Sequence, residues 1–439
     1  MFKSLIKSIT PEYVLSIYRQ SAQRSRKRRF ERDRVKLIDE MFSDCVPVTG
    51  ISVPPRVILI APGDPGTVFG SLGDDAMLTS IVTQARKRNS TVRIVIITAN
   101  ESASSLVRDH GFEAIEIWGR QNYVKLLRSE VLTNGVDAVV VIGADVMDGS
   151  YSEEFSLRML VTANVACKLG VPTSVVGFSF NLNANPRLSE VYSRLENGIK
   201  FYVRDEISLK RFERFTRTRG ILVADSAFCL DPDQGEEELY SWVNSKRASG
   251  KIVLGVNIHP MLFKREERRR KSVDNLTEVL FRLSNLRNVA FVFMPHDHRD
   301  VFGDHISLDP IYQSLVKFGV SDVFYAKGAT SSRIKAMVGC LDAVITGRMH
   351  LSIASLGMGV PVFCFSYHGK FEGLLRHFSL PLWLAPEATI LLERDELLTE
   401  VVRFVDQHPE LRQIVISAWP AVKKASERNY EVFDGVRSG

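Results

Sequence analysis

The sequence predicts an α/β chain of two Rossmann-like domains facing one another across a cleft, preceded by a basic, amphipathic helical segment. Three observations predict it. Short runs rich in β-branched residues, apolar on both faces, alternate with amphipathic stretches, the pattern of a parallel sheet covered by helices. The alternation stops after residue 203 and restarts at residue 252, which calls for two sheets rather than one. With 439 residues the chain is also too long for one ordinary domain.

In the first half, strands are expected at 57–61 (VILIA), 92–98 (VRIVIIT), 114–117, 138–143 (AVVVIG), 173–178 (TSVVGF) and 200–203. Helical patterns at 76–88, 123–133 and 155–169 lie between them. The stretch 227–249, with Pro232 and three successive acids at 236–238, reads as a linker carrying a short helix. Strands resume at 252–256, 289–294, 323–325, 343–345 and 360–365, and the segment 393–430 reads as helical, placed to cross back and brace the first domain. These divide the chain into a basic helical segment (1–45), a first Rossmann-like domain (46–230) and a second with C-terminal helices (231–439).

Hydrophobic residues at 45% and charged residues at 25% are ordinary for a soluble globular protein. No apolar run reaches the roughly 18 residues of a membrane span, and the N-terminus lacks a secretory signal's apolar stretch and cleavage site. A cytosolic protein is expected. Cys45, Cys167, Cys229, Cys340 and Cys364 are widely separated and contain no CxxC, so no zinc knuckle or dithiol redox site is expected. The net charge of +6 is concentrated at 24–34 (RSRKRRFERDR) and 264–271 (KREERRRK). Upstream of the first cluster, Phe2, Leu5, Ile6 and Ile9 recur at helical spacing with Lys3 and Lys7 between them. Residues 1–34 therefore read either as a helix packed on the protein's own body with a solvated charged tail, or as one lying on the inner face of a membrane. Aromatic residues are not interleaved with the basic ones, which argues against nucleic acid as a partner.

In a doubly wound fold, ligands sit at the carboxyl ends of the strands. The first strand leads to a glycine-rich loop, Gly63, Gly66, Gly70 and Gly73, then Asp74 and Asp75 at a helix start. This is neither a Walker loop nor GxGxxG. Its glycines permit close approach of a ligand or simply make a tight turn. The strand at 138–143 ends in Ala144-Asp145, and that at 200–203 in Arg204-Asp205, where an arginine can grip a carboxylate or phosphate with two hydrogen bonds or pair with a local acid. His259 follows the strand at 252–256, and His296-Asp297-His298 the next. That cluster lacks a clear third ligand, so no metal is expected. The densest constellation comes last: Gly347-Arg348-Met349-His350 opens a helix, and Tyr367 and Lys370 follow the neighbouring strand. Cations, an imidazole and free helix amides converging there suit a small, multiply negative substrate with a proton to move.

Residues 335–370, KAMVGCLDAVITGRMHLSIASLGMGVPVFCFSYHGK, resemble the signature of the polysaccharide pyruvyl transferase family: Arg-Met-His after a strand, a Gly-Val-Pro-Val strand, then Tyr-x-x-Lys. The resemblance extends over roughly 56–385, taking in the glycine-rich segment and Val203–Ser208. One departure is the turn Gly143-Ala144-Asp145, less glycine-rich than the family pattern. Membership implies a GT-B-like fold and transfer of a pyruvyl group from phosphoenolpyruvate to a saccharide, commonly as a cyclic ketal, without a cofactor. The implied roles are His350 as acid–base catalyst and Arg204 as donor anchor, with Arg348, Lys370, Tyr367, Asp74, His259 and His296 lining the substrate. A lipid-linked acceptor would suit membrane contact through 1–34. Two other readings stay open: a sugar-nucleotide glycosyltransferase of the same architecture, with Glu372 near Lys370 as its ribose-binding acid, and a noncatalytic membrane-associated scaffold.

Overall fold

A computed structural model of the protein describes residues 30–234, 236–299, 303–367 and 369–434. The expected amphipathic helix near the N-terminus lies outside the described residues except for its end. Residues 30–42 form helix α1, which buries Phe30, Leu37 and Met41 against the first domain, while Arg34 pairs with Glu153 at 2.6 Å. No helix among the described residues is long and apolar enough to cross a membrane.

The first domain alternates β1 (Val57–Ala61), α2 (Leu72–Arg88), β2 (Arg93–Thr98), α3 (Glu101–Asp109), β3 (Glu113–Glu116), α4 (Tyr123–Asn134), β4 (Ala138–Ile142), α5 (Glu153–Lys168), β5 (Thr173–Phe178), α6 (Ser189–Ser193), β6 (Lys200–Val203), α7 (Glu206–Thr216) and β7 (Ile221–Leu222). After α8 (Glu237–Ala248) come β8 (Ile252–Val256), α9 (Glu266–Leu286), β9 (Val289–Phe293), α10 (His305–Lys317), β10 (Val323–Tyr325), α11 (Ser331–Gly339), β11 (Ala343–Thr346), α12 (Met349–Gly357), β12 (Val362–Cys364), α13 (Lys370–His377) and α14 (Arg394–Glu427). All strand pairings are parallel, in the orders β3-β2-β1-β4-β5-β6-β7 and β10-β9-β8-β11-β12. The strand order reverses between β1 and β4 in one sheet and between β8 and β11 in the other. Those switch points are where such sheets open a crevice.

Strands such as VILIA and AVVVI are fully buried because helices cover both faces. Burying each such side chain contributes roughly 1.5–3 kcal/mol. Ile58 and Ile60 point to one face, Leu59 and Ala61 to the other, and the Ile58 face shares one continuous core with the second domain. The two-residue strand β7 at the sheet edge is not read from the sequence. The stretch expected as a linker begins with a 3-10 turn, Ser226–Cys229, that is buried in the shared core rather than solvated.

The long helix α14 runs on into a 3-10 segment, Arg428–Phe433, that returns to the first domain. There the buried Asn429 accepts from Gly177 N (3.0 Å) and donates to Ala224 O (2.9 Å) and Ser426 O (2.8 Å). Tyr430 donates to Ser226 O and Ser426 to Asp225 O, at 2.9 and 2.6 Å. The C-terminal segment thus clamps the turn that carries Asp225. Asn429→Ala strips three buried hydrogen bonds and is expected to cost ~2–4 kcal/mol, read as a lowered thermal unfolding midpoint; an unchanged midpoint would show that the clamp adds nothing to stability.

Candidate functional site

The four loops at the two switch points meet. Thr346 ends β11, and its hydroxyl accepts the Arg348 amide at 2.9 Å, turning the chain into α12 with Arg348 at the cap position. His350, in the first turn, reaches the first domain at the start of α2. A methyl group added to Gly73 would overlap the His350 ring, so the glycine there is required by close approach of an imidazole from the other domain. Ser71 caps α2 through the Asp74 amide and also donates to the Asp74 carboxylate at 2.7 Å. Asp75 takes the amide of Ser331 in the second domain at 2.9 Å.

Beside His350 lies a buried pair. Arg204, at the exit of β6, donates through Nη1 to Asp225 Oδ2 (3.2 Å) and through Nη2 to Ser179 (2.9 Å). The same Asp225 oxygen is 4.0 Å from His350 Nε2. Asp225 Oδ1 takes the Ala227 amide at 2.9 Å, and the ring of His377 from the second domain bonds the Arg204 carbonyl at 2.8 Å. Arg204 Nε and His350 Nε2 are both buried and have no hydrogen-bond partner among the described residues. Burial lowers the His350 pKa and Arg204 adds to this; Asp225 opposes without reversing it. The imidazole is therefore neutral at neutral pH.

A second cross-domain pair closes the other side. Lys370, first residue of α13, donates to Asp145 at 2.5 Å and to the Tyr151 hydroxyl at 3.0 Å, with its ammonium 4.9 Å from the Tyr367 ring centre. Burial alone would lower the Lys370 pKa, but Asp145 outweighs it and the net shift is upward. Burial alone would likewise raise Asp145, yet Lys370 and Arg204 bring it down to about 2.

The other expected residues divide. Arg348 points into its own domain, where Nε donates to Asp304 at 2.9 Å and Nη2 lies 3.2 Å from Asp297. Asp304 also gathers Asn257 Nδ2 and the His296 amide, both at 2.8 Å, so this arginine orders three second-domain loops. His259 is buried against Gly347 with Tyr367 edge-on at 5.5 Å, and neither of its ring nitrogens has a partner among the described residues. Burial holds both His259 and His296 well below the usual histidine range, with Arg348 adding to the first and His350 to the second. Among the described residues, no group of three or more His, Cys, Asp or Glu side chains could hold a metal ion.

Asp74 sits under Gly63, where an added methyl carbon would come within 2.6 Å of its carboxylate. Burial raises its pKa to about 7; Ser71 opposes, while Asp64 and Asp145 push it further up.

Asp225, Asp145, Tyr151 and Ser179 belong to this constellation and are not among the site residues expected from the sequence. Asp225 follows the apolar run Ile221–Ala224, and reading that run as a strand would have placed Asp225 at a strand end. Asp145 does stand at an expected strand end. Ser179 likewise follows the expected strand 173–178 directly, whereas Tyr151 carries no such signal.

The family model for polysaccharide pyruvyl transferase matches residues 72–369, about two thirds of the sequence. The chain belongs to the polysaccharide pyruvyl transferase family. Membership makes it a polysaccharide-modifying transferase with a saccharide acceptor. No curated protein matches the sequence.

Solved structures show the same fold. A putative UDP-N-acetylglucosamine 2-epimerase from Listeria monocytogenes has a TM-score of 0.55 at 10% identity over 85% of this chain and 93% of its own. The MnaA protein of S. aureus, solved with UDP, has 0.55 at 10% over 85% and 94%. A glycosyltransferase from Rickettsia africae has 0.53 at 12% over 86% and 97%. The fold is the two-domain GT-B arrangement shared by glycosyltransferases and epimerases.

The Asp74 carboxyl generates a pH signature. Because its pKa is raised in the folded state, the fold favours the protonated form. Its contribution is fully present below the ordinary value of about 4 and is lost as pH rises through about 7. Asp74→Asn is expected to match the parent's stability at pH 4 and exceed it at pH 8 by on the order of 1 kcal/mol after solvent screening, read as a higher thermal midpoint at pH 8 only; parallel midpoints across that range would count against the raised pKa.

Proposed function

We propose that the protein transfers the pyruvyl group of phosphoenolpyruvate to a saccharide diol as a cyclic ketal, with His350 and Arg204 as its central residues. The observation that carries this reading is the meeting of His350 from one domain with the buried Arg204–Asp225 pair from the other, each presenting a buried nitrogen that no described residue satisfies. Buried polar groups are normally hydrogen-bonded, so paired orphans in a cleft are apt contacts for a polar ligand.

In this reading Arg204 Nε takes the donor carboxylate, and Lys370 exchanges Asp145 for the donor phosphate. The phosphate dianion favours the imidazolium of His350, offsetting the downward effect of burial. His350 then protonates the methylene carbon of the donor, leaving an oxocarbenium-like centre at C2. A sugar hydroxyl attacks C2 and loses its proton, the C2–O bond to phosphate breaks, and the second hydroxyl closes the ketal. Of the two hydroxyl protons, one balances the proton placed on carbon and the other departs with phosphate.

Asp145, released from Lys370, loses the contact that holds its pKa down and accepts a hydroxyl proton, with Asp74 beside it. Arg348, shared with Asp304 and Asp297, holds the loops bearing His259 and His296 against the substrate. The scheme assigns no role to a metal or cofactor. Residues 1–34, with their basic cluster, fit peripheral contact with the inner face of a membrane, where a lipid-linked acceptor would be presented.

His350→Ala is expected to lower phosphate release from phosphoenolpyruvate and a saccharide panel by at least ~10³-fold with an unchanged circular dichroism spectrum; retained turnover would sink the assignment. Arg204→Ala removes the donor's anchor and should raise the Michaelis constant for phosphoenolpyruvate by ~10–100-fold. If that constant stayed put while stability fell, Arg204 would be structural instead.

A further inference from the structure

The second basic cluster of the sequence forms a pocket beside the site. The loop leaving β8 passes His259, turns through Pro260–Leu262 and enters α9. Leu262, Phe263, Lys264, Arg265 and Arg268 line a cavity of about 360 Å³. Its inner wall adjoins the family motif, since a methyl group on Gly347 would lie 3.1 Å from the Leu262 side chain. The pocket is thus a lateral extension of the cleft on the second domain.

Its chemistry has two parts. Lys264, Arg265 and Arg268 are exposed, and none takes part in an ion pair among the described residues. Of the two neighbouring acids, Glu266 is already engaged by Arg269 and Arg270, and the exposed Glu267 is not part of the pocket's lining. Against these cations stand the partly buried Leu262 and Phe263, with the exposed Met261 at the rim. Three unopposed cations call for a group carrying more than one negative charge, because solvated single charges gain little from pairing. The adjoining apolar wall calls for hydrocarbon attached directly to that group. A nucleotide would place a ribose and base there instead, and the pocket's lining offers no acid for a ribose.

We infer that this pocket binds a diphosphate joined to a hydrocarbon chain, the linkage by which an acceptor saccharide is carried on a lipid. The inference rests on the pyruvyl-transfer reading only for what lies in the cleft; the pocket's own preference is independent of it. The saccharide would extend past Leu262 toward His350, with the chain leaving past Met261.

Farnesyl diphosphate serves as probe, titrated calorimetrically into the full chain. It is expected to bind at least ~10-fold more tightly than inorganic pyrophosphate and than UDP, and the double variant Arg265→Ala/Arg268→Ala, altered only at exposed positions, should weaken it ~10-fold or more while the thermal midpoint holds. Equal affinity in parent and variant would overturn the site, pyrophosphate binding as tightly as farnesyl diphosphate would overturn the hydrocarbon part, and tighter UDP would make it a nucleotide site. Vesicles of phosphatidylcholine with phosphatidylglycerol form a separate arm: binding lost in the variant there, but absent with soluble farnesyl diphosphate, would reassign the patch to the membrane surface and overturn the pocket. Phosphoenolpyruvate binding in the parent chain judges the pyruvyl-transfer reading separately, so either can fail alone.

Discussion

The Asp225 carboxylate sits where two domains share one charge, and much of the rest of the structure serves to hold it there. One of its oxygens faces both Arg204, from the exit of β6, and His350, from the start of α12. Its other oxygen is tied to its own turn, and its carbonyl is tied to Ser426 at the end of α14. A carboxylate this buried is costly unless paired and hydrogen-bonded. The arginine compensates it, the imidazole gains a neighbour that favours its charged form, and neither effect survives a separation of a few ångströms. The crossing of α14 back onto the first domain therefore has a local purpose at the site as well as a role in joining the domains.

A second constraint is steric. His350 can approach the first domain only because the second residue of α2 is Gly73, and Asp74 can tuck beneath β1 only because the loop after it carries Gly63. The glycine-rich loop thus accommodates side chains from this protein at those two positions, which is neither of the two readings its sequence left open. Lys370 and Asp145 complete the closure from the opposite side, and their contact sets both pKa values in directions that burial alone would reverse. In the proposed reaction that contact would be exchanged for the donor's phosphate, the lysine keeping a partner while the freed carboxylate serves as the base.

The architecture was legible because parallel strands covered on both faces leave long β-branched runs that few other structures require. Val57–Ala61 and Ala138–Ile142 could hardly be mistaken. The edge strand β7 has two residues and no such run, and losing it concealed Asp225. The position of a polar residue after a strand indicates that it faces the crevice, and so Arg204, His350 and Lys370 could be picked out. It does not indicate which opposing group it meets. Arg348 occupies the same kind of position as His350, yet turns back to Asp304 and Asp297, acids that follow β9. Pairings across sequence separations of more than a hundred residues, such as Lys370 with Asp145, depend on how the two sheets are docked, which no local pattern encodes.

That docking also bears on how the two sheets divide the chemistry. The first domain contributes Arg204, Asp225, Asp145 and Asp74, a fixed cation among carboxylates. The second contributes His350, Lys370, His259 and His296, of which the three imidazoles are held neutral by burial. Neutral imidazoles beside a buried arginine spare the fold a concentration of positive charge that it would otherwise have to offset with further acids. In the proposed reaction an arriving donor dianion would supply that offset itself, at His350, the histidine whose shift Asp225 already opposes. On that reading the proton-carrying form would be favoured only with the donor in place, coupling the proposed acid to its substrate through electrostatics alone.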